Sequence, residues 1–267
     1  MSTMQEKLKK MNPRQLEAVL HTEGPLLILA GAGSGKTTVL INRIAYIIDQ
    51  SLAKPWQILA ITFTNKAAGE LKERLTAMLG DTGGDVWAAT FHSTCARILR
   101  RDGDRIGYSS HFTVYDTDDS KRLVKDCQKA LNIDDKMFSH KSILSEISHA
   151  KDSMLSPADY QAAAGSDFRL AKIGAVYELY QKRLREADAM DFDDLLGNTV
   201  ELFRQCPDVL EYYQNRFRYI MVDEYQDTNQ VQYEFVRLLA EKSKNLCVVG
   251  DDDQSIYKFR GATIENI

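Results

Sequence analysis

Five short apolar runs punctuate the chain: LLILA at 26–30, ILAITF at 58–63, VWAAT at 86–90, YIMVD at 219–223 and LCVVG at 246–250. Each is rich in β-forming residues and bounded by Gly, Pro, Asp or Thr, the pattern of strands buried on both faces of a parallel sheet. Successive runs begin about 30 residues apart, the length of a strand–helix–strand crossover. The gap between the third and fourth runs is longer by roughly 100 residues. Elsewhere the apolar period lengthens to that of a helix. Leu40, Ile44, Ile47 and Ile48 share one face after the first run. Inside the long gap, Tyr177, Tyr180 and Leu184, then Phe192, Leu195 and Leu196, recur three and four apart. The pattern predicts an α/β fold. Residues 1–93 and 215–267 form a parallel-sheet domain, and 94–214 form a mostly helical insert. There is no low-complexity stretch and no repeat of 20–50 residues.

Composition narrows the class. The 267 residues suit one large domain or two ordinary ones. With 44% hydrophobic and 27% charged residues, a sizeable core is available and wholesale disorder is excluded. Lys and Arg number 34 against 38 Asp and Glu, a net charge of −4. That excludes a strongly basic nucleic-acid binder but not a local basic groove. The apolar runs fall far short of the roughly 20 residues a membrane helix needs. The N-terminal MSTMQEKLKKMNPRQ has no apolar segment of the signal-peptide kind. No membrane partner and a cytoplasmic location are therefore expected. Cys95, Cys127, Cys206 and Cys247 contain no C-x-x-C pair, against a zinc ribbon, an iron–sulfur site or a disulfide scaffold.

The chemistry begins where the first run enters AGAGSGKTT, residues 30–38, and then a helical pattern. Strand, glycine-rich loop, Lys-Thr and helix together make a phosphate-binding loop credible. Ala30, Gly31, Ala32, Gly33, Ser34, Gly35, Lys36, Thr37 and Thr38 would cradle nucleotide phosphates with backbone N–H groups and the helix N-terminus. Lys36 would reach the β- and γ-phosphates, and the Thr37 hydroxyl would bind Mg²⁺. The strict pattern wants glycine at Ala30, and an ordinary glycine turn before a helix is the alternative. YIMVDEYQD then supplies Asp223, ending a strand, for a water-mediated Mg²⁺ contact, and Glu224 as general base for the attacking water. An Asp-Glu pair in isolation is commonly a solvated turn; the phosphate loop reverses that judgement. The last run ends in VVGDDDQSIYKFRGA, residues 248–262, which puts Asp251 and Gln254 at the same sheet edge. Gln254, neutral and bidentate, suits sensing a γ-phosphate. Tyr257, Phe259 and Arg260 follow, fit either for stacking bases or for core packing.

Seven segments in order resemble superfamily 1 DNA helicases of the UvrD/PcrA/Rep group: MNPRQLEAV (11–19), AGAGSGKTT, ITFTNKAAGEL (61–71), TFHS (90–93), AMDFDDLL (189–196), VDEYQDTN (222–229) and GDDDQSIYKFRGA (250–262). The resemblance spans essentially the whole chain. It implies a RecA-like ATP-binding motor domain interrupted by a helical subdomain, with ATP and Mg²⁺ as cofactors. It further implies that hydrolysis drives 3′–5′ movement on single-stranded DNA, with single/double-strand junctions as substrates and repair or replication as setting. Gln15 would read the adenine edge, and Gln254 would couple the γ-phosphate to DNA. Thr62, Phe63, Asn65, Thr90, His92, Tyr257 and Phe259 would line the single-strand track. The family commonly has Trp where Phe259 stands, so stacking is kept with a smaller ring. Without the resemblance, His92 reads as a packed or capping residue.

Two basic series, Arg97, Arg100, Arg101 and Arg105, and Lys121, Lys125 and Lys129, are either solvated helix faces or part of a phosphate-tracking surface. The family motor has a second RecA-like domain that supplies arginines to the transferring phosphoryl group. No candidate for it occurs before the chain stops at GATIENI, so an N-terminal part of a longer helicase is expected, one that binds but unwinds poorly. The rival classes are a small-molecule kinase, a binding-only module and the motor of a helicase–nuclease. DNA-stimulated ATP hydrolysis separates the first two from a helicase, and the full-length reading frame separates the third.

Overall fold

A computed structural model describes residues 4–31, 33–136 and 138–251. Its strands are β1 (Leu26–Leu29), β2 (Ile58–Thr62), β3 (Trp87–Thr90), β4 (Thr113–Val114), β5 (Ala189–Met190), β6 (Tyr219–Val222) and β7 (Leu246–Gly250). Five of them form one parallel sheet in the order β1-β7-β6-β2-β3. The α/β class with a parallel sheet is the one read from the sequence, and all five apolar runs became its strands. Burial explains their composition. The inner strands β2 and β6 are buried along their full length, as is β7 after its first residue; the outer β1 and β3 are mostly half-buried.

The chain divides into two compact units. The first comprises the residues up to Thr94, Pro207–Thr228, and the chain from Val236 onward. It contains the five-stranded sheet, α1 (Met4–Leu8), α2 (Pro13–Leu20), α3 (Lys36–Asp49) and α4 (Asn65–Leu79). Leu40, Ile44 and Ile47 of α3 and Leu71 and Leu75 of α4 pack with Ile58, Met221 and Val249 of the strands. Burying each such side chain contributes about 1.5–3 kcal/mol, which is what holds these helices on the sheet. The helical period read from the first three of these residues therefore marks the core face of α3.

The second unit, Cys95–Cys206 with Asn229–Phe235, is largely helical. Its helices include α6 (Thr117–Ala130), α7 (His140–Asp152), α8 (Pro157–Ala164), α9 (Phe168–Glu186) and α10 (Phe192–Gln205). The helix α11 (Pro207–Arg216) belongs to the first unit, and α5 (Phe91–Asp102) and α12 (Gln230–Ala240) each have residues in both. Tyr177, Tyr180 and Leu184 of α9 are buried with Val124, Ile143 and Ile147 of α6 and α7. Two features escaped the sequence pattern. The two-residue strands β4 and β5 pair in parallel, too short to show a period. Phe192, grouped by spacing with the buried Leu195 and Leu196, is 51% exposed. It is the first residue after the N-cap Asp191, where the helix has not yet settled into its core-facing turn.

A buried charge cluster organises this unit. Lys151 Nζ lies 2.6 Å from Asp191 Oδ2 and 2.8 Å from Asp194 Oδ1. The Tyr180 hydroxyl donates to Asp191 (2.9 Å) and the Gln181 amide to Asp194 (3.0 Å). The two aspartates also close a capping box on α10. Burial opposes all three charges. The ammonium nevertheless keeps Asp191 below the ordinary carboxylate value, while burial and the neighbouring Asp191 push Asp194 up to about 6. Asp194 is thus the carboxylate that takes a proton first.

Replacing Lys151 with Met strips the counter-charge from both carboxylates and is expected to cost about 3–5 kcal/mol. Urea unfolding measures this, and a loss below 1 kcal/mol would show that the cluster does not hold α7, α9 and α10 together. Asp152 tests the opposite sign. Burial, reinforced by Asp193, raises its pKa from 3.8 to about 6. Because the folded value lies above the unfolded one, its contribution to stability is present in acid and is lost as pH rises through about 6. Asp152→Asn keeps the acceptor for Asn229 Nδ2. It should stabilise by roughly 1 kcal/mol at pH 7.5, discounted for the water reaching a half-buried group, and lose that advantage at pH 4.

Candidate active site at the carboxyl edge of the sheet

Parallel strands end at one edge, and the order β1-β7-β6 sets three chain segments side by side there. The Ala30 N–H donates to the Gly250 carbonyl (3.2 Å), the last rung between β1 and β7. Beyond it the chain leaves the sheet as the glycine-rich loop, closed by a bond from Ser34 N–H to the Gly31 carbonyl (3.3 Å). Gly33 (φ +75°) and Gly35 (φ +85°) lie in the left-handed region, where a side chain is strained. A Cβ on Gly35 would also stand 3.3 Å from Gln15 Nε2. Helix α3 starts at Lys36 with no side-chain cap, so its first N–H groups are left to face the loop and any anion held there.

Gln15 is placed against this loop. Its Nε2 donates to the Ser34 carbonyl (3.3 Å), while its Oε1 accepts from Asn12 N–H (3.2 Å) in the capping box of α2. The fully buried Arg43 of α3 ties the end of α2 to the same helix by donating to the carbonyls of Ala18, His21 and Thr22. Burial holds its pKa below the ordinary arginine value, although the guanidinium stays charged.

Lys36 Nζ is 3.3 Å from Asp251 Oδ2, the residue after β7, and both side chains are about 10% exposed. Asp223 follows β6, and its N–H extends the ladder to the Ile61 carbonyl (3.0 Å). Burial, then the neighbouring Glu224, pushes its pKa up; the Glu224 N–H, Lys36 and the Thr37 hydroxyl pull the other way. Thr37 and Asp223, the two residues assigned to metal, are therefore brought within hydrogen-bonding reach of each other. Among the described residues no three His, Cys, Asp or Glu side chains converge as a metal cage. One hydroxyl and one carboxylate still fit Mg²⁺, which is usually held by one or two carboxylates together with substrate phosphates and water. Glu224 itself sits at φ +53°, ψ +41°, a left-handed backbone worth of order 1–3 kcal/mol of strain in a non-glycine residue.

Gly33, Gly35, Lys36, Thr37, Thr38, Glu224 and Asp251 line one pocket of about 480 Å³, within the usual range for small-molecule sites. Arg74 of α4 lines it too. Arg74 belongs to none of the segments singled out in the sequence, and the packing of α4 on the sheet brings it here. Gln226, given no role in the VDEYQDTN segment, contacts both Glu224 and Asp251.

The residues assigned to DNA lie at the same edge beyond β6. Thr62 and Thr90 end β2 and β3 and are register partners. Both are buried, and their hydroxyls are engaged with the Thr64 carbonyl and with Ser93. Half-exposed Phe63 packs edge-on against Phe91 (5.4 Å), Asn65 opens α4 in an exposed position, and His92 is half-exposed in the first turn of α5. Surface at this end is thus offered by Phe63, Asn65 and His92. Ala32, Gln254, Tyr257 and Phe259 lie outside the described residues. Of the basic series, Lys121 and Lys129 pair with Asp118 and Asp126 on α6. Arg100 donates to the Ser110 carbonyl and covers the Phe112 ring. The four cysteines are buried thiols, and no helix among the described residues is long and apolar enough to cross a membrane.

A family model described as the UvrD/REP helicase N-terminal domain matches residues 11–267. An ATP-dependent DNA helicase PcrA from Staphylococcus aureus is 55% identical over 260 residues, 97% of this chain and 36% of the relative. Its Staphylococcus epidermidis counterpart is 54% identical over the same length. The chain spans about a third of the length of the curated relatives it matches.

Phosphate oxygens would compete with Asp251 for Lys36. Asp251→Asn is therefore expected to tighten nucleotide binding several-fold without Mg²⁺, because it removes both a competitor and a like charge. Fluorescent-nucleotide titration in EDTA checks this, and equal or weaker binding would show that the ion pair does not oppose the phosphate.

Proposed function

Because the chain belongs to the UvrD/REP helicase N-terminal family, we propose that it is the ATP-binding motor part of a DNA helicase. In this reading it couples hydrolysis of Mg-ATP to 3′–5′ movement along single-stranded DNA. The observation that carries the reading is the convergence of Lys36, Thr37, Asp223 and Glu224 at the ends of β1 and β6, with Phe63, Asn65 and His92 further along one sheet edge. Nucleotide chemistry and a strand-binding surface then share a rigid support.

The steps follow from the side chains. The N–H groups of the loop and of α3 receive the phosphates, and Lys36 exchanges the Asp251 carboxylate for the β- and γ-phosphate oxygens. Glu224 accepts a proton from the water that attacks the γ-phosphorus, as the bond to the β–γ bridging oxygen breaks and ADP departs. Mg²⁺ held by Thr37 and Asp223 would supply charge neutralisation on the phosphate oxygens. Arg74 adds a second cation to the pocket wall. Further arginines facing the transferring group belong, in this reading, to a second motor domain. Strand separation at single/double-strand junctions, in repair or replication, is accordingly proposed for the full-length protein.

Lys36→Ala is expected to abolish hydrolysis, and turnover near the parent rate would rule out the phosphate-loop assignment. The two acids should part by role. Glu224→Gln should leave nucleotide affinity largely intact while slowing hydrolysis by about 10²–10⁴, whereas Asp223→Asn should weaken the Mg²⁺ dependence of binding. Titrations with the roles exchanged would reverse the assignment.

A further inference from the structure

Gln226 is buried in the turn after β6 and is absent from the machinery described so far. Its Nε2 donates to Glu224 Oε2 at 2.6 Å. Its Oε1 accepts the Asp251 N–H at 3.2 Å. The amide can lie only this way round, because the flipped arrangement would set oxygen against carboxylate and N–H₂ against N–H. The neighbouring strand end makes room for it: a Cβ on Gly250 would stand 3.4 Å from Gln226 Oε1. One amide thus joins Glu224, the second residue past β6, to Asp251, the residue after β7, and Asp251 holds Lys36.

We infer that Gln226 is a positioning residue, which aims the Glu224 carboxylate at the attacking water and ties that aim to the placement of Asp251 at the end of β7. The inference rests on the reading of Glu224 as the general base. Glu224 needs such support. It follows a strand, adopts a left-handed backbone, and a free carboxylate there has several rotamers open to it. The Gln226 bond selects one of them. Because the same amide is anchored on the Asp251 N–H, movement of the β7 end disturbs Glu224 as well as Lys36. The water-activating group and the phosphate-binding cation therefore share one mechanical reference.

Gln226→Met, similar in length but without either hydrogen bond, tests this in the full-length protein. The expected result is a fall in kcat of about 10- to 100-fold, the scale of a misplaced catalytic group, with nucleotide affinity changed less than twofold. In the Glu224→Gln background the same substitution should cost nothing further in single-turnover hydrolysis, since its effect passes through that carboxylate. Should Gln226→Met fold poorly, Gln226→Glu serves. It keeps the acceptor for Asp251 N–H but sets a carboxylate against Glu224, and it should lose rate per folded molecule. An unchanged kcat, or an equal fold-loss with and without Glu224, would overturn the positioning role alone. Parent-like turnover in Glu224→Gln by itself would instead overturn the general-base reading, and this proposal with it.

Discussion

The ion pair between Lys36 and Asp251 constrains everything around it. Two nearly buried charges 3.3 Å apart cannot be separated without a replacement for one of them. A nucleotide triphosphate is such a replacement, being the denser anion. The pairing also forces three segments into fixed relation: the loop after β1, the end of β7 and, through Gln226, the turn after β6. The pocket is shaped by this set of mutual obligations more than by any one motif. The acids around Lys36, namely Asp223, Glu224 and Asp251, would repel one another if that cation were withdrawn.

Parallel pairing makes the arrangement possible. β1, β7 and β6 are neighbours with their carboxyl ends together, so residues far apart in sequence meet without a long loop. β2 and β3 carry Thr62, Phe63, Thr90 and His92 to the same edge. The residues read as nucleotide and strand contacts are thus neighbours on one sheet. The two threonines turn their hydroxyls inward, shaping the turns that present Phe63, Asn65 and His92.

The second unit uses charge differently. The segment AMDFDDLL, part of the family resemblance but without an assigned chemistry, proves to be the N-terminal capping box of α10 and half of a buried ion cluster with Lys151. Here the carboxylates hold helices in register, at the cost of a raised pKa on Asp194. Asp223 and Asp251 beside the glycine-rich loop are buried to a similar degree. What differs is the setting, since the Lys36–Asp251 pair borders a pocket and the Lys151 cluster packs between helices.

Several features were legible from residue order alone. The five strands, the long helical interruption and the glycine-rich loop follow from local composition, because a buried strand must be apolar and a left-handed loop must be glycine-rich. What the sequence could not determine is who faces whom across the sheet. Strand order puts β7 between β1 and β6, and only that makes Asp251 the partner of Lys36 and Gln226 the link to Glu224. The same limit applies to Arg74, whose spacing marks a helix face and not a destination. Phe192 shows it in reverse, carrying a core-like spacing at a helix terminus that faces water. Periodicity records which side of an element is buried; contacts between elements distant in sequence are decided by packing, where a few kcal/mol among many alternatives select one arrangement.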